Sequence, residues 1–306
     1  MTVPAPAQTG AIRPPVVAAS VAKEGPVGDR TRTTRRIVAY VLLIGYAILM
    51  LVPFAWSVST SFKTNADATR QVSFMPDPVT LEGWETAFNE LDPALPRLFL
   101  NSTVIAVAVT LSNVVLGSMA GYAFARLRFP GRELLFILVL GTMMIPDQLR
   151  LVPIYQILRS LGLLQDERQF LGIVVVLAIS ATSIFLLRQY FLSIPRALEE
   201  AAKIDGAGFY TTFARVVLPL ATPAIAAVAI LQFQGTWNGF FWPVIILQER
   251  ANWTLPLGIA QFQDLYATQW PPLMAVVVMA TIPILILYVF FQRFFVEGIA
   301  AAGVKG

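Results

Sequence analysis

Neither cysteine nor histidine occurs in the 306 residues, and only 13% of them are charged. Those gaps exclude much chemistry. Without thiols or imidazoles there is no disulfide framework, thiolate nucleophile, Cys/His zinc site or imidazole base. Charge is scarce too: a soluble domain carries about 25% charged residues, so this chain has roughly half the usual means of wetting a surface. Apolar residues take their place, with 57% hydrophobic residues and a mean hydropathy of +0.68. A lipid-embedded chain follows, its first partner the bilayer. The net charge of +4, from 22 Lys and Arg against 18 Asp and Glu, does not mark a nucleic-acid surface.

A spanning helix needs about 20 largely apolar residues, because in hydrocarbon only a helix or a closed barrel satisfies its own backbone. Six stretches qualify, so the expected fold is an all-α membrane protein with six transmembrane helices. The spans are placed at residues 37–58, 98–125, 134–154, 170–187, 216–242 and 273–291, within a membrane domain of residues 35–297. The first, second, fourth and sixth hold no charge. The third meets Asp147 and Arg150 early, so it is expected to leave the hydrocarbon near Pro146 and continue as an interfacial helix towards Leu161. Pro219 and Pro223 fall in the first turns of the fifth, where a helix tolerates a missing donor best. Residues 1–34, rich in Ala, Pro, Val, Thr and Gly without periodicity, read as a disordered tail, and residues 298–306 as a short C-terminal tail. The apolar run opening at Ile37 is too long for a signal-peptide core of about 7–15 residues, so it is expected to remain as a span.

Counting Lys and Arg by segment orients the chain. With the N-terminus cytoplasmic, the inner segments hold 15 and the outer ones 7, while acidic residues divide 7 inside to 11 outside. That asymmetry places both termini in the cytoplasm. The small net charge conceals a polarised molecule.

Ion-coupled carriers and pumps place Asp, Glu, His or Lys inside the membrane to bind the coupling ion. Apart from the end of the third, no span here has one. No GxxxxGK[ST] phosphate cradle occurs either, so ATP hydrolysis belongs elsewhere. Energy for uphill transport would then come from a partner.

The cytoplasmic segment 188–219 is the most informative. Ser193 can cap a helix with Pro195 in its first turn, Glu199 and Glu200 favour the dipole, and Gly206 can end the helix left-handed. Leu198, Ala201 and Ala202 share one face, and Phe209 and Phe213 share one face of a second short helix. Periodicity alone allows an amphipathic helix packed on its own protein. Glu200-Ala201-Ala202, then Gly206, Val216 and Leu218-Pro219 at the spacing seen here, resembles the EAA loop of ABC importer permeases, with Val216 in place of the usual Ile. Pro53-Phe54-Ala55-Trp56, Ser61-Phe62-Lys63, Asn101-Ser102, the run Gly121 to Arg126, Ile145-Pro146 and Val152 to Tyr155 are similar to carbohydrate-uptake permeases of the maltose type. So is the tail from Gly298 to Gly306, and the likeness covers residues 37–306.

The resemblance implies a permease subunit that catalyses no covalent reaction. It would sit in the bacterial cytoplasmic membrane with a second permease subunit, two ATPase subunits and an extracytoplasmic solute-binding protein, moving a sugar, oligosaccharide or polyol derivative. No cofactor or metal is expected in this chain; ATP and magnesium belong to the ATPase. Glu199, Glu200, Ala201, Ala202, Asp205, Gly206, Leu218 and Pro219 would form the ATPase-coupling segment, and Gly303, Lys305 and Gly306 an ATPase-contacting tail. Trp253, Phe262, Tyr266 and Trp270 lie in an outer loop that touches the binding protein in relatives; the same aromatics would suit a membrane-interface belt. Gln232, Gln234, Trp237, Asn238 and Trp242 are candidates for the solute path, since amides meet sugar hydroxyls and indoles meet sugar faces. Interhelical hydrogen bonding and aromatic anchoring are the competing readings of those five. Other classes stay open here: an ion-coupled carrier, or a six-helix channel or scaffold.

Overall fold

The computed structural model describes residues 29–70, 73–263 and 268–303. Tyr266, Lys305, Gly306 and most of the N-terminal tail lie outside them. Among the described residues every named element is a helix, with one isolated bridge between Gln263 and Thr268. The chain divides into two compact units, residues 1–53 and 54–306. The helix α1 (Asp29–Ser61) supplies residues to both. In the first unit its apolar residues from Ile37 to Val52 are exposed.

The second unit continues with α2 (Asn65–Arg70), α3 (Glu82–Asn89), α4 (Leu95–Arg126), α5 (Arg132–Gly141), α6 (Asp147–Ser160), α7 (Arg168–Leu177) and α8 (Ala181–Ser193). There follow α9 (Arg196–Ile204), α10 (Phe209–Thr212), a π-helical turn (Phe213–Val217), α11 (Leu218–Leu220), α12 (Thr222–Trp237), α13 (Phe241–Ile246), α14 (Leu255–Ala260) and α15 (Trp270–Gly303). The helix α4 organises the unit, packing on α7, α8, α12 and α14. Three apolar clusters follow one another along it: one around Leu95, Leu98 and Ala106, the next around Ile105 and Val109, the last around Tyr122 and Ala125. Its contact with α8 is close because Gly117 and Gly121 face it. A Cβ on Gly121 would stand 3.0 Å from both the Arg188 nitrogen and the Leu187 Cβ. Small residues four apart let two backbones approach, as in helix pairs within membranes.

Three helices are apolar and long enough to cross a membrane alone, in α1, α4 and α15, and three bent pairs pass together, giving up to six spans. The bends alter the sequence picture. Residues 134–154 are not one helix: α5 and a short 3-10 turn meet α6 at 104°. The cause is Ile145-Pro146, where proline removes a donor and holds its predecessor extended, with Ile145 ψ at 110°. Residues 170–187 are broken between α7 and α8, bent by 47°, and residues 216–242 hold a 76° bend at Ala221 followed by a separate α13.

The α7–α8 break contains neither Pro nor Gly. It is held from outside. Buried Asn113 of α4 donates to the Leu177 carbonyl at 2.7 Å, and its Oδ1 accepts from the Ser180 amide at 2.8 Å and the Ser183 hydroxyl at 3.1 Å. A broken helix in an apolar setting persists where a neighbour satisfies the freed backbone groups.

Candidate functional site

The helix α9 is short, and its end is built as its sequence dictates. Gly206 takes φ +83°, Ala207 donates to the Ala202 carbonyl at 2.9 Å, and Gly206 donates to Lys203 at 3.0 Å. That is the Schellman arrangement, which requires a left-handed residue after the cap. The start differs from expectation. Ser193 is the last residue of α8, its hydroxyl donates back to the Tyr190 carbonyl at 2.7 Å, and Pro195 occupies the N-cap without a side-chain bond.

Orientation is the informative feature. Glu199 is the buried residue of α9, 9% exposed, whereas Leu198, Ala201 and Ile204 face outward, Ile204 at 87%. An amphipathic helix packed on its own protein would show the reverse. Glu199 Oε1 lies 2.7 Å from Arg126 Nε, with both side chains nearly enclosed. The N–H does not point along that contact, so it is an ion pair rather than a hydrogen bond. Tyr122 OH donates to the other carboxylate oxygen at 3.1 Å, and Arg126 Nη2 donates to the Ile194 carbonyl at 2.5 Å. The Tyr122 ring packs against Phe191, Phe209 and Phe213, at 4.8 Å between centroids for Phe213. The end of α4 thus grips α9, the loop before it and the helix after it.

Around this grip lies a charged recess of about 230 Å³, lined by Arg126, Arg128, Arg196, Glu199, Glu200 and Lys203. Glu200, Ala201 and Asp205 are exposed, and Ala202 is half-buried. Leu218 and Pro219 open α11, which links the π-helical turn to α12. The helix α9 is therefore joined to α4 by the ion pair and to α12 through the chain that follows it.

The five solute-path candidates separate. Gln232 donates to the Ser180 and Ser183 hydroxyls at 2.8 and 3.0 Å, joining the Asn113 network. Trp237 is 2% exposed, donates to the Ala280 carbonyl at 3.1 Å and stacks on Phe233. Trp242 is buried against Ile246 and Ile173. Gln234 and Asn238 are exposed on one side of α12, with Gly235 between them and nothing within 4 Å of a Cβ placed there.

In the outer loop, Phe262 is buried in the cluster around Leu98, while Trp253 is half-buried and donates to the Leu247 carbonyl at 3.1 Å. Trp270 is exposed. The role of Asn101-Ser102 was not visible from the sequence. Asn101 donates to the Ala251 and Trp253 carbonyls at 2.9 Å each, and Ser102 accepts from the Leu255 amide at 2.7 Å. The pair fastens the outer loop to α4. Of the tail candidates, Gly303 ends α15.

Among the described residues the structure is one of whole and broken apolar helices long enough for up to six spans, with one helix turning its apolar side out beside a charged recess. Residues 113–300 match the family described as binding-protein-dependent transport system inner membrane component. The chain belongs to that family. It is 34% identical over 281 residues to the arabinooligosaccharides transport system permease protein AraQ of Halalkalibacterium halodurans, covering 90% of this chain and 99% of the relative. It is 34% identical over 283 residues to the trehalose/maltose transport system permease protein MalG of Thermococcus litoralis, again covering 90% and 99%. Among solved structures it is similar to a chain of a bacterial ABC transporter involved in the import of the acidic polysaccharide alginate, with TM-score 0.74, 27% identity, and 88% and 99% of the two chains covered. The fold is that of an ABC importer permease, a multi-pass inner-membrane subunit of the sugar-transport type.

Proposed function

We propose that this chain works with a second permease subunit, two ATPase subunits and an extracytoplasmic solute-binding protein to import a carbohydrate, whether a sugar, an oligosaccharide or a polyol derivative, and that α9 is where ATPase motion enters. The observation that carries the coupling role is the orientation of α9. Leu198, Ala201 and Ile204 form an outward apolar stripe, small in the middle, while Glu199 is drawn inward by Arg126. Exposed apolar surface rimmed by charge is how a docking face looks before its partner is added.

The ATPase pair holds ATP and magnesium and closes on binding them. Closure carries α9 with it, the Glu199 to Arg126 ion pair draws the end of α4, and the π-helical turn and α11 pass the displacement to α12. Exposed Gln234 and Asn238 line the solute path on α12, whereas Gln232, Trp237 and Trp242 hold the helices around it. Both termini lie in the cytoplasm, where α9 must be for the ATPase to reach it. The relatives' names, for arabinooligosaccharides and for trehalose or maltose, support a carbohydrate.

The test is uptake of labelled oligosaccharide by proteoliposomes holding the complete complex. ATP-dependent uptake that needs the binding protein is the expected result. Uptake by this chain alone under a sodium or proton gradient would contradict it.

A further inference from the structure

Beside α9, the loop joining α4 to α5, the first turn of α5 and the first residue of α9 border a recess of about 680 Å³. Arg128, Arg132, Glu133, Leu134 and Arg196 stand on its walls. The positive-inside bias alone puts basic residues at the inner ends of spans. It does not make them converge on one hollow, nor leave them without partners.

Glu133 is already engaged, by Arg132 at 2.6 Å and Arg188 at 3.5 Å. Arg132 is occupied too, since its guanidinium donates to Glu133 and, at 3.1 Å, to the Leu127 carbonyl. Arg128 and Arg196 differ. Both are exposed, and among the described residues neither has a hydrogen bond or an ion pair. The smaller recess around Glu199 adjoins this one and shares both arginines, yet neither Glu199 nor Glu200 comes within ion-pairing distance of them. Two guanidiniums on the wall are thus free, each with a fork of donors that matches a phosphate. The first turn of α5 has no side-chain cap and adds the positive end of its dipole to the same wall. Together these groups complement an anion.

The rest of the wall decides what kind of anion. Leu134 lines the recess and is exposed, as are Ile137 and Leu138 three and four residues on, so an apolar stripe of α5 leads away from the arginines. Because α5 and α6 together are apolar enough to span, that stripe is placed to meet hydrocarbon. A positive hollow at the head of an apolar stripe fits an acidic amphiphile. We propose that the recess binds the phosphate headgroup of an anionic phospholipid of the inner leaflet, with Arg128 and Arg196 on the phosphate and the stripe along an acyl chain. Basic pockets between spans on the cytoplasmic side suit such headgroups, and about 680 Å³ lies within the range of ligand sites, about 300–1,000 Å³. A soluble ATPase would meet the charges but not the stripe. Since Arg128 follows α4 and Arg196 opens α9, a phosphate shared between them would fasten α9 to the membrane surface. The inference rests on the cytoplasmic placement of α9 given above.

The experiment is native mass spectrometry of the purified full chain, equilibrated with phosphatidylglycerol and phosphatidylcholine of equal chain length. An arginine near an anionic headgroup counts for about fivefold, so wild type should retain phosphatidylglycerol over phosphatidylcholine by about tenfold or more. Arg128→Gln, Arg196→Gln should cut that ratio about fivefold or more, while Arg128→Lys, Arg196→Lys keeps most of it. Arg159→Gln, at an exposed arginine away from the recess, should leave it unchanged. A ratio unaltered in the glutamine pair would overturn the site, as would equal losses in the glutamine and lysine pairs, which would mark a damaged fold, or an equal loss in Arg159→Gln. Displacement of the lipid by inorganic phosphate would also overturn it, by showing a site for a free anion. Sidedness is read separately, from Pro130→Cys and an impermeant thiol reagent. Labelling from outside would sink the cytoplasmic placement beneath the proposal; labelling from inside with no effect of the glutamine pair sinks this site alone.

Discussion

Glu199 shows how far a residue's role departs from its local sequence. In the sequence it reads as a dipole-favouring charge of the coupling segment, and its burial stays hidden because its partners Tyr122 and Arg126 come from α4, more than seventy positions earlier. Removing one member of a buried ion pair strands the other, at about 3–5 kcal/mol. Glu199→Ala should therefore lower the thermal midpoint of the purified protein sharply, and Arg126→Glu combined with Glu199→Arg should recover part of the loss. A midpoint unchanged in Glu199→Ala would contradict the pairing. Two glycines make a second contrast. Gly121→Ala places a Cβ 3.0 Å from the α8 backbone and should cost about 1–3 kcal/mol, whereas Gly235→Ala meets nothing within 4 Å and should be neutral or slightly stabilising. Gly206, by contrast, was legible, since the chemistry of a left-handed stop is local.

Elements were legible where their causes lie within the segment. The apolar runs mark α1, α4 and α15, and Pro146 announces one of the bends, whereas Pro219 and Pro223, read as tolerated in the first turns of one span, flank a 76° bend. The bend between α7 and α8 was not legible, because no residue in it breaks a helix; Asn113 on another helix stabilises it. Asn113→Leu should destabilise by about 1–3 kcal/mol through stranded backbone groups and lower the thermal midpoint of the purified protein. An unchanged midpoint in the variant would show that the bend holds itself. For the same reason the outer loop read only as a row of aromatics, while Asn101 and Ser102, which fix it to α4, looked like ordinary polar residues at the mouth of a span.

At the scale of the whole molecule, the absence of cysteine becomes a tool. Single cysteines introduced into the natural sequence report sidedness without background. A cysteine replacing Ile204 should react with an impermeant thiol reagent only from the cytoplasmic side, and one replacing Glu82 only from outside; the opposite pattern would overturn the orientation. Sequence patterning supplied the membrane class and the polarity of charge, but not the direction in which α9 faces, since periodicity locates an apolar stripe without saying what covers it. The account turns on that direction. Co-purification of the ATPase with Leu198→Asp, Ile204→Asp protein, expressed with all partner subunits, tests it most directly. The account predicts that the chain inserts and pairs with its permease partner at wild-type levels while ATPase recovery falls at least tenfold. Undiminished ATPase recovery in that variant would contradict it.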